Sequence, residues 1–99
     1  MITIPRYITA GITNQVPLDT QLMLWELYET MQVESRDYLQ IFELTTVIGS
    51  HSCIHHILHK QEEPSYVHTH EVAAYTMLSG KIYIVHDQTH LTMLWANEY

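Results

Sequence analysis

The chain is poor in cysteine, proline, glycine and positive charge: its 99 residues include one Cys, three Pro, three Gly and four Lys or Arg. Each scarcity excludes something. A lone Cys53 excludes an intramolecular disulfide and agrees with a reducing compartment. Few prolines and glycines, with 46% hydrophobic and only 15% charged residues, exclude a disordered, solvated chain. No apolar run approaches the roughly eighteen residues needed to span a bilayer. The start MITIPRYITAG has neither the basic residues nor the apolar stretch of a signal peptide. The expected location is therefore the cytoplasm. Four basic residues against eleven acids give a formal charge of −7, which excludes a basic footprint for a phosphate backbone. Direct binding to nucleic acid or to a membrane is not expected.

What is present fits one domain, residues 1–99. IPRYITAGI, residues 4–12, alternates like a strand, and Pro5 assigns it to an edge because proline cannot donate to a ladder. Pro17 suits a first helical turn and Asp19 suits the positive end of a helix, so a helix is expected to about Gln32. Met23, Leu27, Met31, Leu24, Tyr28, Trp25, Leu18 and Leu22 cover most of its circumference. That is broader than the stripe of an ordinary surface helix. From Asp37 the texture changes to DYLQIFELTTVI, SCIHHILHK, a segment beginning YVHTHE, GKIYIVH and HLTMLWA, separated by turn residues. EVAAYTML is ambiguous between strand, short helix and loop. The expected fold is α+β: one N-terminal helix packed across a curved antiparallel sheet of about five strands.

Residues 51–71, HSCIHHILHKQEEPSYVHTHE, hold six of the eight histidines. Zinc needs three or four ligands about 2 Å from one point. His55 and His59, on one strand face but about 13 Å apart, cannot hold an ion alone. His68 and His70, about 7 Å apart on one face, form the better pair, with His56, His55 or Cys53 from the next strand as third ligand. His68, His70 and His56 are the metal candidates, with no cofactor otherwise expected. HTHEVAAYTMLSG shares its HxH and a following glycine with the cupin metal motif, but the motif's glutamate and third histidine are missing. A lone thiol in an apolar strand reads as a core residue, and no glycine-rich phosphate loop or GxSxG elbow is present. No catalytic residue is assigned, and an enzyme is the less favoured class.

An acidic surface is suited to basic protein surfaces, including those that normally hold nucleic acid. Exposed carboxylates Glu62, Glu63, Glu71 and Asp87, with Tyr66 or Trp25 as aromatic anchor, are the expected partner-binding residues. Protonating all eight histidines moves the formal charge from −7 to +1, so acid near the histidine range is expected to weaken such binding and lower solubility.

RYITAGITNQVPLDTQLMLWELYE, DYLQIFEL, IHHILHKQEEPSY and TMLWANEY resemble, in order, the blocks of a small Firmicutes family, domain-of-unknown-function family nine-sixty. The resemblance covers nearly the whole chain. It implies an α+β fold with a single helix on an antiparallel sheet, and members frequently carried on mobile elements such as staphylococcal cassette chromosomes and phage-like regions. It supplies no activity and no ligand set. Arg6, Gln21, Tyr38, Gln40, Glu43, His59, Gln61, Glu62, Pro64, Tyr66 and Glu98 lie within the matched blocks, and some of them are expected to form a common surface. The resulting expectation is a small acidic accessory protein of a phage or other mobile element. In its most specific form it is an anti-CRISPR or anti-restriction inhibitor covering a basic surface of a host nucleic-acid enzyme. The alternatives are a metal-binding protein using segment 51–70 and a homo-oligomeric structural protein using the broad apolar helix.

Overall fold

The computed structural model describes residues 4–99. Its first element, β1 (Arg6–Ile8), is short because a helix starts directly behind it. Thr9 stays extended while its hydroxyl accepts the amide of Ile12, which caps helix α1 (Ala10–Gln15). The expected strand over residues 4–12 is thus divided between a three-residue strand and a helix. Pro17 then opens α2 (Leu18–Thr30), with φ −57 already set for the first turn and Asp19 beside the positive end. The helix stops two residues short of the expected Gln32.

β2 (Leu39–Ile48), β3 (Cys53–Gln61), β4 (Tyr66–Ala74), β5 (Gly80–His86) and β6 (Leu91–Trp95) follow. The six strands form one sheet in the order β1-β6-β5-β2-β3-β4, with two helices rather than one. All neighbours are antiparallel except β1, which runs parallel to β6 with Arg6 opposite Leu91. β1 lies at an edge and β2 is central. The EVAAYTML segment divides between the end of β4 and a loop.

Side chains alternate across a strand, so Phe42 and Leu44 of β2 share a face with Ile57, Ile82, Ile84, Leu91 and Met93. These residues and Ile12, Val16, Leu24, Trp25 and Tyr28 form the core between helices and sheet. Burying each such side chain contributes about 1.5–3 kcal/mol. Trp25 is only 8% exposed, whereas Leu18 and Leu22 on the same helix are 67% and 59% exposed. The apolar circumference read from the sequence is therefore only partly buried.

Between β4 and β5 the chain returns from the sheet edge to the far side of β2. Thr46 secures this crossing: its hydroxyl is 2.8 Å from the nitrogen and the oxygen of Leu78 and from His55 Nδ1. Gly80 follows with φ +144, and a Cβ there would lie 2.9 Å from Trp95 Cζ3. Only glycine meets both demands. A closing 3-10 turn, Ala96–Glu98, brings Glu98 Oε1 to the amide of Trp95 (2.8 Å) and the hydroxyl of Thr9 (2.7 Å). Among the described residues no helix is long and apolar enough to cross a membrane.

Candidate functional site

The histidines separate by strand face. In β3, His55 and His59 point to the helix side and are buried, while His56 points away. In the β3–β4 register His59 lies opposite His68, Ile57 opposite His70, and His56 opposite Glu71. His56 Nε2 is 3.9 Å from Glu71 on the outer face. The structure therefore places His56 on the opposite side of the sheet from His68 and His70, because it lies three positions from His59 on a strand whose side chains alternate. The histidine that joins the pair is His59. The signal was available in the sequence: the turn Glu62–Ser65 sets Gln61 against Tyr66, and counting back two residues sets His59 against His68.

A buried hydrogen-bond chain fixes the state of His59. Gln61 Nε2 donates to the carbonyls of Ser35 (3.1 Å) and Pro64 (2.8 Å), so Gln61 Oε1 accepts, from Asp37 N (2.8 Å) and Gln40 Nε2 (2.6 Å). Gln40 Nε2 also donates to Asp37 O, leaving Gln40 Oε1 as the acceptor 2.8 Å from His59 Nε2. The proton of His59 is thus on Nε2, and Nδ1 is a lone pair. That Nδ1 is buried without a partner, as is Nε2 of His70.

The His59 ring stacks on Phe42 at 4.2 Å and meets Tyr66 edge-on at 5.2 Å. Burial, with the field of His70 and His68, lowers its pKa from 6.5 to about 4. His70 is lowered by burial and by His68, whose ring is 4.5 Å away. His55, bonded to Thr46, is lowered by burial despite Asp19. Among the described residues, no three His, Cys, Asp or Glu side chains meet at a point that would hold a metal ion as they stand.

A second group occupies one end of the sheet. Asp37 and Tyr38 enter β2 there, beside the β3–β4 turn with Glu62 and Glu63 and the β5–β6 turn with Asp87. The amide of Glu63 donates to Asp37 Oδ2 (3.1 Å), and the amide of His86 donates to Tyr38 O (2.8 Å). Tyr38 is 56% exposed and Tyr99 65%. Tyr99 meets Tyr83 edge-on at 5.6 Å, and it is the main influence raising the Tyr38 pKa, ahead of Asp37 and Glu62. Of the expected carboxylates, the fold brings Glu62, Glu63 and Asp87 to this end and leaves Glu71 on the outer face of β4. Trp25 is in the core with Arg6 stacked 4.9 Å from its ring, and half-buried Tyr66 packs on His59. The exposed aromatics beside the acids are instead Tyr38 and Tyr99.

The basic residues are mostly engaged within the fold. Arg6 pairs with Glu29, Lys60 with Glu43 at 2.7 Å, and Arg36 donates to the carbonyls of Tyr28 and Glu29. Among the described residues no Lys or Arg is paired with the acidic end, where the one basic neighbour in reach is His90, its Nδ1 3.4 Å from Asp87 Oδ1. Of the residues in the matched sequence blocks, Gln21, Gln40, His59 and Gln61 are buried, while Arg6, Tyr38, Glu62 and Glu98 are exposed. Gln21 bonds Val16 O, Glu98 ties Thr9 to Trp95, and Gln40, His59 and Gln61 form the buried chain.

These features define an α+β protein with helices on one face of a mixed sheet, an internal histidine–glutamine chain and an acidic, aromatic end. The chain belongs to the family described as Staphylococcal protein of unknown function (DUF960), which matches residues 5–98. It is also similar to a solved structure, the crystal structure of a protein of unknown function from Enterococcus faecalis. The TM-score is 0.73 at 16% identity, covering 100% of this chain and 98% of that one, a likeness of fold. No curated protein matches.

Proposed function

We propose that the protein works by protein contact, as a small acidic binding protein that docks through the end of its sheet formed by Asp37, Tyr38, Glu62, Glu63, Asp87 and Tyr99. The observation that carries this reading is the gathering of two exposed tyrosines with carboxylates from three separate segments. Exposed tyrosines supply rigid contact area, and surrounding charge of one sign steers an oppositely charged surface. The fitting partner is a basic protein surface. In the most specific form it is the nucleic-acid-binding surface of a host enzyme, covered by an accessory factor of a mobile element. Electrostatic steering is screened over about 8–10 Å at physiological salt, which makes the reading testable. Capture from host cells at low and high salt, with wild type and with Glu62→Gln/Glu63→Gln/Asp87→Asn, should recover a basic partner that salt and the triple variant both release. A partner held equally by the triple variant at both salt concentrations refutes the reading.

A further inference from the structure

We propose that His59, His68 and His70 form a binding site for one divalent transition-metal ion, with His59 coordinating through Nδ1, His70 through Nε2 and His68 as third ligand. Three observations lead there. The register puts His68 directly across from His59, and His70 two residues further along the same face of β4. Cross-strand and i, i+2 neighbours lie about 5 and 7 Å apart at Cβ, within reach of three imidazoles around one ion. Second, the nitrogens assigned as ligands in His59 and His70 are the two buried polar side-chain atoms without a partner among the described residues. His59 is 0% exposed, so bulk solvent does not reach Nδ1, and a buried acceptor left unpaired is costly. Third, the opposite nitrogen of His59 donates to Gln40 Oε1, itself held by Gln61. Metal-bound imidazoles characteristically donate their second N–H to such an oriented acceptor, which fixes the ring and its tautomer.

His59, clamped by Phe42 and Gln40, is the fixed arm. His68 is exposed and His70 half-buried, so the site closes by their turning about side-chain bonds toward His59 Nδ1. Three imidazoles and a solvent-facing fourth position favour zinc and its neighbours, such as cobalt, nickel or copper, over magnesium or calcium, which prefer oxygen ligands.

The test uses untagged, chelator-stripped protein titrated with Co²⁺ and Zn²⁺. One ion per chain is expected, with the visible absorption of nitrogen-bound Co²⁺. Zn²⁺ should also shift the His59 Nδ1 resonance in a long-range ¹H–¹⁵N spectrum, which reads the buried ligand without mutating it. His68→Ala and His70→Ala should each weaken binding by roughly 100-fold or more, beyond the 10–100-fold typical of outer-shell changes. His56→Ala, on the other face, should bind like wild type. Absence of stoichiometric binding, an unmoved His59 Nδ1, or equal binding by the His68 and His70 variants overturns the proposal.

Discussion

Replacing Gln61 with leucine changes side-chain volume little but removes a carboxamide that makes four hydrogen bonds, to Ser35 O, Asp37 N, Gln40 Nε2 and Pro64 O. Gln61 is 3% exposed, so water cannot occupy the vacated position. Leaving a buried polar group unpaired costs about 1–3 kcal/mol. Ser35 is exposed and Pro64 half-buried, so water reaches their carbonyls. Gln40 keeps its bond to Asp37 O. Asp37 is half-buried as well, so the penalty falls mainly on buried Gln40, which loses one of its bonds, for a total of about 2 kcal/mol. For a domain of this size each kcal/mol lowers Tm by about 4–8 °C, so a fall of roughly 8–16 °C is expected. Thermal and urea unfolding followed by circular dichroism measure it. A double-mutant cycle with Gln40→Leu should be strongly non-additive, because both variants break one network. A Tm within about 4 °C of wild type, or additive costs, would refute the claim that this chain of amides holds the 35–37 segment to the sheet.

Two further predictions follow from buried geometry. Because the His59 pKa is lowered from 6.5 to about 4, the unfolded chain takes up the proton first. Stability should be complete above pH 6.5 and decline as pH falls toward 4, by up to about 3 kcal/mol at roughly 1.4 kcal/mol per pH unit. His55 and His70, also lowered, act in the same direction. Urea titrations in chelator at pH 7.5, 5.5 and 4.5 measure the decline, and an unchanged midpoint contradicts it. Gly80→Ala should lower stability by about 1–3 kcal/mol, since the positive φ is strained for alanine and the new methyl meets Trp95; thermal unfolding equal to wild type would show that both the strand start and the indole can relax.

The histidine shifts also revise an inference drawn from composition. Counting all eight histidines as ordinary groups takes the charge from −7 to +1. In the folded protein His59, His55 and His70 resist protonation. Its surface thus stays acidic further into acid than the count implies.

Elements with a long regular pattern were legible. Phe42 and Leu44 alternate with Ile41 and Glu43, and that period of two marks β2 as a strand. α1 was not legible, because six residues give no helical period and its start depends on one hydroxyl, that of Thr9. The parallel pairing of β1 with β6 joins residues 85 positions apart, which no local pattern encodes. The exposure of acids in turns was legible because turns face solvent, but the burial of Trp25 was not. An apolar residue on a helix that is apolar nearly all round carries no mark of which side meets the sheet, and the exposed side fell at Leu18 and Leu22. His59 was missed as a companion of His68 because register depends on the turn, and a one-residue error exchanges the faces.

The joining of Thr9, Gly11 and Trp95 through Glu98, beside the β1–β6 ladder, has a bearing on synthesis at the ribosome. β1 and α1 emerge before the strands that follow them, yet their partners lie 85 positions further along the chain. The hairpin of β2, β3 and β4 can pair while the chain is still growing, since its contacts are between neighbours in sequence. The first two elements must wait with their apolar groups uncovered until residues 91–98 clear the exit tunnel.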